Sequence, residues 1–311
     1  MVAFGTGRPF VQGAAPRYTP NMRPFTHFAA IDWSGARGAR QRGIALAVAS
    51  GAAAPALVRP GHVWSRAEIF DWLCDVAVQG TDMLIGFDFS AAFAFADRDA
   101  YFPQWPDSPP DMRALWALVA RHAADDPHFE AHGFLNHAEA RRHFRHAKGD
   151  VGDLFEGGAG RLRIVEQHQR ATRQAASVSN FNLVGAAQVG KASLSGMRLL
   201  HHLGGALPLW PLDPAPPRGP LLVEIYTALA ARAAGVPAGR SKIRDGAALD
   251  TALAALGSPP AGLAGPVSDH ASDALLSAAW LRAIAADAAP WSPAPLTPAI
   301  ACTEGWTFSI I

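Results

Sequence analysis

Two short apolar runs, each broken by a single acid, constrain the fold of this chain more than any other feature of its sequence. Residues 83–89 read MLIGFDF, with Asp88 as the one charge, and residues 221–226 read LLVEIY, with Glu224 inside the run. A continuous apolar run of this length is the pattern of a strand buried on both faces, which requires a sheet covered by helices on either side. A lone carboxylate in such a strand costs several kcal/mol to bury ionised unless it is paired, hydrogen-bonded or metal-bound. Both acids therefore require partners from elsewhere in the chain.

The flanking segments supply the other elements. Residues 25–32, FTHFAAID, form a β-type run that ends on Asp32 and the turn Trp33-Ser34-Gly35. Residues 43–50, GIALAVAS, follow after a short Arg-rich turn, too soon for a helical crossover, so the two runs predict an antiparallel hairpin. A third strand is expected within residues 56–64. Ser65-Arg66-Ala67-Glu68 is a capping-box signature, and Ile69, Leu73 and Val76 recur at i, i+4 and i+7, which predicts an amphipathic helix ending near Gly80. From Ser90 to Pro220 the chain is long and irregular, with a helical stretch near Met112–His122, and residues 91–190 read mostly as an insertion between the fourth and fifth strands. Further helices are expected over 194–203, 227–234, 247–256 and 268–285. Residues 1–24 read as a flexible leader without the apolar core of a signal peptide, and residues 287–311 as a Pro-rich tail packing on the domain.

Composition sets the boundaries of function. Half of the residues are hydrophobic, enough for a real core, and a formal charge of +1 gives no whole-protein attraction to nucleic acid. Any such partner must be held locally, and residues 141–173, with eight Lys/Arg against four Asp/Glu, are the candidate patch. Cys74 and Cys302 stand far apart without CxxC spacing, which excludes a disulfide framework or a cysteine zinc site and fits a reducing, cytoplasmic setting. No run approaches 18 apolar residues, so no membrane span is expected.

The element order, three meandering strands, then helix, strand, helix, strand, helix, predicts an α/β fold of ribonuclease H-like layout, a mixed five-stranded sheet flanked by helices. On such a sheet the first and fourth strands are neighbours, so Asp32 and Asp88 would face each other. Asp269 and Asp273, four apart, share a face of the last helix with Leu276 and Trp280, which carries them toward the core edge. Recurrent carboxylates at apolar elements suggest one oxygen-lined site for Mg²⁺ or Mn²⁺. Each acid also has a simpler reading: Asp32 as an Asx-turn residue, Asp88 as a strand-end turn acid, Asp269 as helix-start chemistry, and Glu224 as the partner of an arginine in the insertion.

The motifs AIDWSGA, LIGFDFSAAFAF, FNLVGAAQVGKASLSGM, LLVEIYTALA, SDHASDALLSAAW and the terminal EGW, in this order from Phe25 onward, resemble the series of the predicted RNase H-like nuclease family, a domain family of unknown function. The resemblance implies a ribonuclease H-like fold and an acidic metal site at Asp32, Asp88, Glu224 and Asp273, with Asp269 beside them. A catalytic site of this kind would hold two ions about 4 Å apart for in-line phosphodiester hydrolysis of nucleic acid, with Asp32 bridging them. Ser34 and Lys191 are candidate substrate contacts, and Lys242 or His270 candidates for charge or proton transfer.

Three other readings use the same residues. LVGAAQVGKASL resembles a Walker A loop, but Ala192 stands where the Mg²⁺-binding hydroxyl belongs and Ser193 comes one residue late. DWSGARG weakly resembles the phosphate turn of actin-like and sugar-kinase phosphotransferases, without the second Gly-rich loop. A non-catalytic metal- or ligand-binding protein of the same fold is the third.

Overall fold

The computed structural model describes residues 23–156, 158–184, 189–237 and 242–311. Residues 1–22 of the expected leader and Gly185 of the Walker-like stretch lie outside them. The strands β1 (His27–Asp32), β2 (Ala45–Ser50) and β3 (Ala56–Leu57) form the expected antiparallel meander, and α1 (Arg66–Gln79) leads into β4 (Met83–Phe87), which runs parallel to β1. The insertion carries α2 (Met112–His122), α3 (His132–Asn136), α4 (Ala138–Arg141), a small hairpin of β5 (Arg145–Ala147) and β6 (Asp150–Val151), α5 (Ile164–Ala171), α6 (Val189–Leu203) and β7 (Leu209–Trp210). Then come β8 (Leu221–Glu224), α7 (Thr227–Ala233), α8 (Gly246–Ala255), α9 (Asp269–Ile284) and α10 (Pro298–Thr303).

The protein is α/β, with a mixed six-stranded sheet in the order β3-β2-β1-β4-β8-β7. Five strands were expected. The sixth is β7, a two-residue edge strand that closes the insertion and pairs in parallel with β8 through Leu209↔Leu222 and Trp210↔Val223. So short a strand has no periodicity to betray it in a sequence. The third strand is also shorter than expected: after the Val58 N–H bonds to the Leu46 carbonyl at 2.8 Å the chain turns away, and it bridges back at Gln41↔Trp64. Among the described residues no helix is long and apolar enough to cross a membrane.

Strand alternation divides the core into two layers. Ala29, Ile31, Ile85 and Phe87 face the layer built by α1, α2 and α6, while Phe28, Ala30, Leu84 and Val223 face the layer built by α7, α8 and α9. α1 is fixed at both ends as its sequence predicts: Ser65 and Glu68 form the reciprocal capping box, and Gly80 closes the helix in the left-handed region at φ 65°. α9 crosses β1 and β2 closely, and Gly86 in β4 is what allows this. A Cβ there would come within 2.7 Å of Ile225 and 2.9 Å of Leu281. Gly86→Ala is expected to destabilise the protein by about 1–3 kcal/mol through overpacking, read as a lower urea midpoint at unchanged m-value.

The middle of α9 departs from the amphipathic stripe. Every residue from Ala271 to Leu281 is buried, so the helix is covered on all sides. Asp273 is therefore carried into the protein rather than along its edge.

The insertion is a folded layer whose charges are largely internal. Arg141 pairs with Asp150, Arg142 with Glu139 and Asp153, Arg161 with Asp97, and Arg163 with Glu166 and Glu224. Half of the Lys and Arg residues expected to hold nucleic acid are thus spent on carboxylates of the same chain. The tail binds the insertion to the sheet: buried Glu304 accepts backbone N–H groups from Phe95, Ala96 and Ile164 at 2.7, 2.8 and 2.6 Å, and the Phe308 N–H reaches the Glu224 carbonyl at 2.8 Å.

Candidate active site

Parallel pairing of β1 and β4, in register Ile31↔Phe87, brings their C-terminal ends to one edge of the sheet. Asp32 is the last residue of β1, and Asp88 follows β4 directly, its backbone N–H bonded to the Ile31 carbonyl at 3.0 Å. From α9, Ser268 caps the helix by accepting the Ala271 N–H, and the first two turns then deliver His270 and Asp273, three apart on one face. Asp32, Asp88 and Asp273 all line a cavity of about 630 Å³ that opens at this sheet edge.

Each carboxylate has a partner. Asp32 Oδ2 accepts a hydrogen bond from His270 Nδ1 at 2.8 Å, and Asp273 Oδ2 accepts one from Lys242 Nζ at 3.0 Å. Asp88 is held by Thr227, through the backbone N–H at 3.3 Å and the hydroxyl at 3.1 Å. Asp88 keeps solvent access only through the cavity. Burial, and then the charge of Asp32, push its carboxyl up to about 8. Asp273 is also raised, by burial first, with Lys242 opposing. His270 is raised chiefly by its hydrogen bond to Asp32. The three acids thus share one electrostatic site, in which Asp88 is the carboxyl that keeps its proton near neutrality.

These shifts have a definite sign. From the ordinary carboxylate value of 3.8 up to about 8, the folded protein holds an Asp88 proton that the unfolded chain has lost, so stability falls as pH rises through that window. His270 acts in the same direction, because the stability of its imidazolium–carboxylate pair is complete below 6.5 and is lost as pH rises through its raised value. Urea midpoints at pH 5 and pH 8, without divalent metal, should fall for the wild type and fall less for Asp88→Asn.

Three expected site residues are placed differently. Glu224 lies in the cavity wall, but its carboxylate accepts from Arg163 at 2.9 and 2.6 Å, from the Thr307 hydroxyl at 2.6 Å and from the Ala91 N–H at 2.9 Å. Four hydrogen bonds use its lone-pair directions, so in this structure it is the partner of an insertion arginine. Asp269 pairs with Arg244 at 2.6 and 2.9 Å, which holds it below the usual carboxylate range, and it does not line the cavity. Lys191 sits in the first turn of α6, bordering a separate space of about 30 Å³ with Glu130 and His132. The Walker-like glycine is explained by the same packing: a Cβ on Gly190 would overlap the Asn180 carbonyl, and the Ser193 hydroxyl donates to the Val189 carbonyl at 2.8 Å. GKAS is a tightly docked helix start, and residues 185–188 before it lie outside the described residues.

Ser34 does line the cavity, its hydroxyl accepting the Ala36 N–H at 3.2 Å. Among the described residues no three His, Cys, Asp or Glu side chains stand together as a ready metal-ligand set. In this arrangement His270 and Lys242 provide the positive charge beside Asp32 and Asp273. Thr227 was not legible as a site residue. Its only signal is its position, three residues after Glu224, where a strand ends on the edge that carries the acids.

Comparison with known protein families, curated proteins and solved structures finds no match. The functional reading therefore rests on the geometry of the cavity.

Proposed function

We propose that the protein is a divalent-metal-dependent phosphodiester hydrolase, a nuclease of ribonuclease H-like architecture, acting at Asp32, Asp88 and Asp273. The observation that supports this most is the Asp88 carboxyl, kept protonated near neutrality by burial and by Asp32 in an open cavity at the C-terminal ends of parallel strands. A bound cation would favour the ionised form of this carboxyl, which burial and the neighbouring Asp32 otherwise disfavour. The donors are all carboxylate oxygens, the chemistry preferred by Mg²⁺ and Mn²⁺, although they do not stand together as a ready ligand set, so binding would require Asp32 and Asp273 to turn from His270 and Lys242 toward the ion. The cation supplies Lewis-acid charge that offsets the negative charge developing on a phosphodiester during hydrolysis.

The protein's own groups have distinct tasks in this reading. Asp32, Asp88 and Asp273 would hold the metal, Asp88 losing its proton as it does so. Thr227 fixes the Asp88 carboxylate in position. His270, with Nδ1 committed to Asp32, retains Nε2 to take or give a proton, and its raised pKa suits it to protonate a leaving oxygen. Lys242, with its side chain 54% exposed, has donors beyond the one on Asp273 to meet a phosphate oxygen.

Calorimetric titration with Mn²⁺, together with cleavage of a panel of DNA and RNA strands, tests the proposal. Binding that tightens between pH 6 and 8, with metal-dependent cleavage, is the expected result; neither binding nor cleavage would sink it. A second reading, a binding protein for a phosphate-bearing ligand without metal, is favoured by one observation: His270 and Lys242 already neutralise Asp32 and Asp273. Ligand binding undiminished in EDTA would select it.

A further inference from the structure

The walls of the cavity restrict what can reach the acids. Asp32 and Asp273 are both less than a tenth exposed, so a reacting group must enter the cavity to touch them. Facing them, the insertion and the tail build a fixed polar wall. Arg163 there binds Glu224 and Glu166, the Ser177 hydroxyl bonds to Gln169, and Thr307 bonds to Glu224. Trp33, Phe89 and Tyr226 contribute aromatic surface, and Lys242 and His270, both partly exposed, contribute cationic donors. A volume of about 630 Å³ lies inside the range of roughly 300–1,000 Å³ typical of sites that enclose one small molecule.

Of the Lys and Arg residues of 141–173, half are already paired with carboxylates of the same chain. Holding duplex backbone requires several phosphates to be neutralised by free Lys or Arg. Here Arg161 and Arg163 are buried in ion pairs, Arg141 and Arg142 are paired with carboxylates at the surface, and the whole chain carries a formal charge of +1.

We infer that the cavity admits a single nucleotide-sized phosphate ester, either free or at the end of a single strand, and excludes the interior of a duplex. A base would lie against the aromatic wall, and its phosphate would meet Lys242 and His270 above the acids. This rests on the reading that the acids act on phosphate esters, but it concerns what the cavity binds and so can be measured without turnover.

The experiment measures binding of adenosine monophosphate in Mn²⁺ by calorimetry, with three competitors: a linear single-stranded oligonucleotide, a covalently closed single-stranded circle and a hairpin-capped duplex without ends. The monophosphate should bind, the linear strand should displace it, and the circle and capped duplex should not. Val178→Trp, which fills the cavity from a wall residue remote in sequence from the acids, should weaken monophosphate binding at least tenfold. In the cleavage arm the linear strand should shorten from an end while the circle stays intact. Displacement by the linear strand identifies a strand end as the source, and binding of the monophosphate alone identifies a free ester. Size-selective binding with no cleavage of any strand leaves this inference standing and removes the nuclease reading. Failure of the monophosphate to bind, displacement by the capped duplex, or nicking of the circle within tenfold of the linear rate overturns the inference.

Discussion

Asp32→Asn is expected to lower metal-dependent phosphodiester cleavage by on the order of 10²–10³-fold, the scale typical of removing one group that stabilises transition-state charge. It should do so while making the metal-free protein more stable. The amide oxygen can still accept the His270 Nδ1–H, so the local geometry is retained, while the charge that repels Asp88 is gone. The Asp88 carboxyl would then titrate closer to the ordinary range, and the loss of stability between pH 5 and pH 8 would shrink. Activity and stability moving in opposite directions is the mark of a site that accepts strain for function. A loss of both would make Asp32 a structural acid. Cleavage assays in Mn²⁺ and urea titrations at two pH values distinguish the outcomes.

The second large effect lies in the wall. Arg163→Met is expected to cost about 3–5 kcal/mol of stability, because it strands the buried carboxylates of Glu166 and Glu224 without their cation. Arg163 donates from all of its guanidinium nitrogens, to both of these acids and to the Glu304 carbonyl, and its side chain is 1% exposed. Adding Glu224→Gln should recover part of the loss, since the amide oxygen can accept the Ala91 N–H while the amide NH2 donates to the Thr307 hydroxyl, which turns to accept. Chemical denaturation of the single and double variants measures the coupling. If Glu224 were a metal ligand instead, Glu224→Gln would abolish Mn²⁺ binding while leaving stability nearly unchanged.

The pair shows where the sequence is and is not readable. MLIGFDF and LLVEIY announce themselves as central strands because burial on both faces leaves no polar alternation, and they become β4 and β8. The capping box at Ser65 is local chemistry and is equally visible. Neighbouring places for Asp32 and Asp88 follow from the element order, since parallel pairing of β1 and β4 makes their ends coincide. The two acids at the start of α9 are harder. Four-residue spacing puts Asp269 and Asp273 on one face, but one turn of helix separates a half-buried position paired with exposed Arg244 from the cavity. Glu224 is the instructive difference: a buried acid in a strand states that it needs a partner, and nothing local states which. Its partner, Arg163, is 61 residues away in the chain, inside a segment whose surplus of arginines looked like a surface. A charge count cannot tell a solvated cation from one that is bound within the fold.

The placement of residues 304–308 has a consequence for the order in which the protein can be made. β1, β4 and the insertion leave the ribosome well before the segment that joins them. Until that segment emerges, the Phe95, Ala96 and Ile164 N–H groups lack the Glu304 carboxylate, and Glu224 lacks both Thr307 and the backbone partner on Phe308. The contacts that tie the wall to the strand carrying Glu224 are therefore completed only once residues 304–308 have been made, after all three aspartates.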